Sequence, residues 1–253
     1  MNDKTAVITG ATKGLGKALS LVFAENGYDI IGLYRRDEVA AKSLETEFRK
    51  KNLRGFFIKQ DITRDDFSRF DEITEWAAGN QLTFIANACS QFSPKPLHLV
   101  DWQEVSDLIE VNLKGTFQVF KRLLPSMIKT RDGALIGVLS SVLHASPLPP
   151  KGFSAYIAAK SALEGWLTGV AAEYAARGVR VFSVSPGLMK TALTDNWSEH
   201  LKSSMHAGGR AICDPMEVAA QIFNLTVNPE TSAKGENYLL DGTISQTLKA
   251  NPQ

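Results

Sequence analysis

Cysteine is scarce: only Cys89 and Cys213 occur in 253 residues. Two cysteines so far apart give neither a disulfide framework nor a metal-type spacing. The four histidines, His98, His144, His200 and His206, are scattered, and no metal site is expected. Excess charge of one sign is also missing. Lys and Arg number 28 against 27 Asp and Glu, a net charge of +1. That balance speaks against nucleic acid or an anionic membrane as partner. No apolar run reaches membrane-spanning length. Met1-Asn2-Asp3-Lys4 leads straight into a strand-like run, without the apolar stretch and small-residue cleavage site of a secretory signal. A soluble cytoplasmic protein is the expectation. Hydrophobic residues make up 44% of the chain, enough for a sizeable core. α/β folds of this length often form one domain.

The chain alternates strand and helix patterns. Thr5–Thr9 is an apolar run of β-formers that ends in Gly10-Ala11-Thr12-Lys13-Gly14-Leu15-Gly16. A helical rhythm follows through Ala18, Leu19, Val22 and Phe23. Strand, glycine turn, helix is the setting of a dinucleotide site. Glycines let a pyrophosphate approach, and the helix N-terminus offers unpaired N–H groups. Tyr28–Tyr34 reads as a second strand, ending at Arg35-Arg36. An acid at that point favours a free ribose 2′-hydroxyl, and a base favours a 2′-phosphate. Tyr34 stands in the acid's place, and Lys13 could reach the same phosphate; the alternative is a solvated pair of loop charges.

Further strands are expected at 55–59, 82–88, 134–141, 179–185 and 236–242, and helices at about 38–51, 65–79, 101–127 and 215–227. Segment 188–213, with Trp197, has the composition of a partly apolar lid. This order predicts one Rossmann-type, doubly wound parallel sheet of about seven strands with helices on both faces. A single domain over 1–253 is expected, with a cofactor half to about residue 130 and a substrate half beyond it.

Tyr156 and Lys160 lie four residues apart in a helical pattern, so both side chains share one face. An ammonium beside a phenol stabilises the phenolate and lowers its pKa from about 10. Such a Tyr can exchange a proton near neutral pH. Taken alone, the pair is also what an ordinary exposed helix face carries. Asn112, polar among apolar neighbours, reads when taken alone as a satisfied core amide.

Together these residues resemble the short-chain dehydrogenase/reductase family, most closely its 3-oxoacyl-acyl-carrier-protein reductases. The resemblance runs over nearly the whole chain: Thr9-Gly10-x-x-x-Gly14-x-Gly16, Asp61, Asn87, Asn112, Ser141, Tyr156, Lys160, Pro186-Gly187, Thr191 and Asp241-Gly242, in that order. It implies Asn112, Ser141, Tyr156 and Lys160 as catalytic residues. It implies NADPH/NADP+ held by Thr9, Gly10, Thr12, Lys13, Gly14, Leu15, Gly16, Arg35, Arg36, Asp61, Ile62, Asn87, Ala88, Tyr156, Lys160, Pro186, Gly187 and Thr191, with no metal. It further implies hydride transfer between a nicotinamide and a carbonyl, and a homo-oligomer, dimer or tetramer. Two departures stand out. Cys89 replaces a glycine near the cofactor, and Pro149-Pro150 lengthen the stretch from Ser141 to Tyr156. Three readings stay open: reduction of a 3-oxoacyl thioester, with an acyl-carrier protein meeting Arg131 and Arg177; reduction of a free ketone or oxidation of an alcohol; and a non-catalytic nucleotide sensor.

Overall fold

The computed structural model describes residues 3–77, 79–87, 93–144, 148–189, 197, 212–228, 231, 234–240 and 246–248. The strands are β1 (Lys4–Thr9), β2 (Asp29–Tyr34), β3 (Gly55–Lys59), β4 (Gln81–Ala86), β5 (Gly133–Val138), β6 (Val179–Pro186), β7 (Lys234–Leu240) and β8 (Gln246–Leu248). They form one sheet in the order β3-β2-β1-β4-β5-β6-β7-β8. Seven strands run parallel, and β8 pairs antiparallel to β7. The described helices are α1 (Gly14–Glu25), α2 (Glu38–Lys50), α3 (Ser68–Trp76), α4 (Trp102–Ile109), α5 (Gly115–Thr130), α6 (Ser154–Tyr174) and α7 (Pro215–Val227).

The expected doubly wound architecture is present, and burial explains it. Strand β1 is buried from Thr5 to Thr9 because helices cover both faces. Alternate side chains therefore enter different cores. Ala6 and Ile8 join Leu19 and Phe23 of α1 and Ile222 of α7. Val7 joins Phe84 of β4, Val119 and Leu123 of α5 and Leu167 of α6. A fully buried side chain such as Phe23 or Phe84 contributes about 1.5–3 kcal/mol. The strand order turns back between β1 and β4, which opens a crevice at the carboxyl ends of these strands.

Two details differ from the sequence reading. The helical stretch expected over 101–127 is present from Trp102 to Thr130, but it is not α-helical throughout: α4 and α5 are joined by a π-helical turn, Glu110–Lys114. Strand β8 adds an eighth, antiparallel member that pairs three residues with β7.

Candidate active site

The glycine turn sits at the carboxyl end of β1. Gly10 has φ +65° and Gly14 φ +49°, backbone that favours glycine. At Gly16 the limit is space: a Cβ would lie 1.9 Å from the Gly10 carbonyl oxygen and 2.9 Å from Asn87 Nδ2. The turn is pinned by the Ala11 N–H donating to the Leu33 carbonyl at 3.1 Å. It is also pinned by Ser20 Oγ donating to the Gly16 carbonyl at 2.9 Å. Thr9 Oγ1 accepts from the Asn87 N–H at 3.0 Å, tying the ends of β1 and β4 together. No side chain caps the first turn of α1, so its N–H groups are left to a ligand or solvent.

Beside this turn lies a cavity of about 350 Å³, lined by Thr9, Gly10, Thr12, Lys13, Tyr34, Arg35, Arg36, Asp61 and Ile62 among others. It brings eight of the eighteen expected cofactor residues into one place. Lys13 is already engaged there, ion-paired to Asp37, the N-cap of α2. Any phosphate reaching Lys13 meets that carboxylate as well. Burial pushes the Asp61 carboxyl up, but hydrogen bonds from Thr63 Oγ1 and N–H, with Arg35 and Arg64 nearby, outweigh it and hold Asp61 below the usual carboxylate range. Gln60 adds to that frame: its Nε2 donates to the Asp66 carbonyl at 2.8 Å. Neither Gln60 nor Thr63 stands out in the sequence, although both neighbour Asp61 directly.

The second half of the site gathers at the ends of β5 and β6. Gly137 lets α6 lie against β5; a Cβ there would sit 2.1 Å from Leu167 Cδ1. The close approach brings Lys160 to the end of the strand. Lys160 is 2% exposed, and its Nζ donates to the Val138 carbonyl at 2.7 Å. The same Nζ lies 5.9 Å from the centroid of the Tyr156 ring. Tyr156 is 8% exposed, with its ring edge-on to Phe153 at 6.2 Å. Leu108, Val142 and Ala159 complete this apolar wall. Ser141, also buried, opens a 3-10 turn over Ser141–His144 directly after β5.

Asn112 occupies the π-turn and is fully buried. Its Nδ2 donates to the Leu108 carbonyl at 2.9 Å, while its Oδ1 has no hydrogen-bond partner. An orphaned buried acceptor is costly, and a π-turn is a frequent mark of a functional site. Together they favour the site reading of Asn112 over the core-amide one. Pro186 ends β6, with the following Gly187 N–H donating to the Leu240 carbonyl at 2.9 Å. Ala88, Cys89, Thr191, Asp241 and Gly242 lie outside the described residues. Of the segment expected as a lid, Trp197 packs edge-on to Phe153 at 5.5 Å.

Arg131 and Arg177 stand elsewhere. Arg131 closes α5 just before β5, and Arg177 precedes β6. Both are at the amino ends of their strands, whereas Ser141 and Pro186 mark the carboxyl ends. Arg131 Nη2 donates to the Ala176 carbonyl at 3.3 Å. Within one chain they do not border the Tyr156 cleft, because parallel strands put these two edges on opposite sides of the molecule.

Among the described residues no cluster of His, Cys, Asp and Glu could hold a metal ion, and no helix is long and apolar enough to cross a membrane.

A buried lysine and tyrosine behind a glycine-turn crevice in a doubly wound sheet define an oxidoreductase of the dinucleotide-binding α/β class. Residues 4–202 match the short chain dehydrogenase family, and the chain belongs to that family. It is 31% identical over 202 residues to the 3-oxoacyl-acyl-carrier-protein reductase FabG of Staphylococcus aureus, covering 80% of this chain and 81% of that one. It is 28% identical over 250 residues to the A-factor type gamma-butyrolactone 1'-reductase (1S-forming) of Streptomyces virginiae, 96% of this chain and 95% of that one. A short chain dehydrogenase from Burkholderia cenocepacia, crystallised in complex with NADP, shares the fold: TM-score 0.81, 23% identity, 95% of this chain and 97% of that one.

Proposed function

We propose that the chain is a single-domain, NADPH-dependent carbonyl reductase that converts a 3-oxoacyl thioester to the 3-hydroxyacyl form. The observation that carries this reading is the convergence of Ser141, Tyr156 and Lys160 at the carboxyl end of β5, on the same edge of the sheet as the glycine turn that follows β1. The glycine turn, Arg35, Arg36 and Asp61 would hold the adenosine half of the coenzyme. Lys160 and Pro186-Gly187 would hold the nicotinamide half. When bound, the coenzyme supplies the hydride. Ser141 Oγ donates a hydrogen bond to the substrate carbonyl oxygen and holds it in place. Tyr156 gives its proton to that same oxygen as the carbonyl carbon is reduced. Lys160 stabilises the negative charge left on the Tyr156 oxygen. Asn112 Oδ1, buried without a partner, is suited to hold a water on the path by which that proton is replaced.

NADPH preference rests on Arg35 and Arg36 in the adenosine cavity and on the absence of an acid at Tyr34. Lys13 contributes less, since Asp37 already shares its charge. Arg35→Ala should weaken NADPH about tenfold or more, since hydrogen bonds to charged groups are worth about 1.5–3 kcal/mol. NADH should change by less than about twofold, as it lacks the phosphate. Titration of both coenzymes by fluorescence checks this, and equal losses would mark Arg35 as a surface charge.

The FabG relatives support a thioester carried on an acyl-carrier protein. The place of Arg131 and Arg177 removes the reason to expect docking at the cleft of the same chain. The test is NADPH oxidation with an acetoacetyl thioester on a carrier protein and on a small thiol, at low and high salt. Turnover of both, alike and independent of salt, fits the thioester reading without carrier docking. A second reading, reduction of a free ketone, is favoured by the match to the gamma-butyrolactone 1'-reductase over 96% of the chain. Turnover of free ketones with neither thioester touched would establish it in place of the first.

Self-association belongs to the proposal. Phe117 on α5 is 44% exposed, its ring 6.4 Å from that of Trp166 on α6. Phe120 meets the same indole at 5.8 Å. An aromatic face shared by two helices suits a second copy of the chain. Sedimentation at micromolar concentration should give dimers or tetramers, and Phe117→Asp should shift the distribution towards monomer. A wild-type protein that sediments only as monomer would count against it.

A further inference from the structure

Beneath the proposed site lies a polar cluster that the mechanism does not use. His144, the last residue of the Ser141 turn, meets Asn237 of β7: Asn237 Nδ2 lies 2.8 Å from His144 Nε2. The same Nδ2 is 3.0 Å from Glu164 Oε1 on α6 and 3.0 Å from Ser185 Oγ on β6. Ser185 Oγ is 3.3 Å from His144 Nε2. Asn237 is 6% exposed and Ser185 fully buried, while His144 and Glu164 are half-buried.

The donors and acceptors can be assigned by elimination. A carboxylate only accepts, so the Asn237 group facing Glu164 is its NH₂. The reversed amide would set Oδ1 against Glu164 Oε1, two acceptors at 3.0 Å. The NH₂ carries two hydrogens for three neighbours, and at its shortest contact, 2.8 Å, a hydrogen on His144 Nε2 would meet it head-on; Nε2 is therefore the acceptor. Three elements meet at this one amide. The turn carries Ser141, α6 carries Lys160 one helical turn before Glu164, and β6 ends in Pro186 directly after Ser185.

We propose that His144 is a positioning residue for the carbonyl-holding hydroxyl of Ser141: through Nε2 it anchors the far end of the Ser141 turn to β7, β6 and α6. The turn is only four residues long, and in a 3-10 turn residues three apart lie in line. Fixing His144 therefore fixes the rotation of the turn that presents Ser141. The proposal rests on the reading of Ser141 given above.

The test compares kcat and KM of variants at His144, alone and with Ser141→Ala. His144→Gln places its side-chain carbonyl oxygen about where Nε2 stood, while His144→Asn reaches only about as far as Nδ1. His144→Ala and His144→Asn should each lower kcat about tenfold, with KM for NADPH within about twofold, and His144→Gln should recover most of the loss. In the Ser141→Ala background, His144→Ala should cost less than about twofold more, since two residues acting through one contact are not additive. Equal losses in both backgrounds, or Asn restoring turnover as well as Gln, would overturn the proposal. Should His144→Ala fail to fold, the comparison of Gln with Asn decides alone. A Ser141→Ala variant with full turnover would show instead that the reading of Ser141 had failed.

Discussion

Tyr156→Phe should abolish most turnover while leaving the fold and coenzyme affinity in place. The ring of Tyr156 is 8% exposed and packs edge-on to Phe153 at 6.2 Å, and phenylalanine keeps both burial and contact. The melting temperature should therefore hardly move. Only the hydroxyl is lost, and with it the proposed proton donor. General acid catalysis is worth about 10²–10⁴-fold, so kcat should fall by that factor. In barrier terms this is about 2.7–5.4 kcal/mol. Water is a poor substitute here, because the apolar wall of Leu108, Val142 and Phe153 closes around the ring. The measurements are single-turnover NADPH oxidation and coenzyme titration on the same preparation. A variant that keeps more than a tenth of wild-type kcat, a loss of under about 1.4 kcal/mol, would sink the assignment of Tyr156 as the acid.

What the sequence revealed and what it hid follow from one physical distinction. Features set by local chemistry were legible. The glycine turn was, because Gly10 and Gly16 answer to backbone conformation and close approach. So was α7, where Asp214 caps the helix and Pro215 opens it. The Tyr156–Lys160 spacing needs only a helix, and α6 provides one. Features set by competition or by distant partners were not legible. The π-turn is set into a pattern whose apolar period continues through it, and Asn112 Nδ2 there donates to the Leu108 carbonyl. Strand β8 is three residues long and exists only where β7 offers an edge. The bond from Asn237 to His144 spans 93 positions, which no spacing rule anticipates. Lys13 illustrates both sides: its place in the turn was visible, its ion pair with Asp37 was not. Arg131 and Arg177 show a further limit: what a residue borders depends on the fold. Strand polarity puts them at the amino ends of β5 and β6, the edge away from the cleft of the same chain.

Lys160→Met should lower kcat and coenzyme affinity together, and shift the pH dependence of the reaction. Lys160 is 2% exposed, so its ammonium is held in the interior by specific partners, the Val138 carbonyl among them. Methionine has a similar length and fills the same space. Removing a buried charge relieves its desolvation cost, while leaving the Val138 carbonyl short of a donor costs about 1–3 kcal/mol; the two effects oppose, and stability should change little. Catalysis has no such compensation. Charge developing on the Tyr156 oxygen loses the cation beside it, so the phenolate is disfavoured. In the reducing direction the phenol is the reactive form, and the loss of activity at high pH should move to higher pH. The weaker acid should also donate its proton more slowly, and kcat should fall about 10²-fold or more. In the oxidising direction the phenolate is the reactive form, and the rise of activity with pH should move up likewise. Because Lys160 is also the proposed contact to the nicotinamide ribose, coenzyme binding should weaken in the same variant. pH–rate profiles in both directions, with coenzyme titration, test these effects separately. If only KM for the carbonyl substrate rose, with both pH limbs and coenzyme affinity unchanged, Lys160 would be a substrate contact and the charge-stabilising role would be lost.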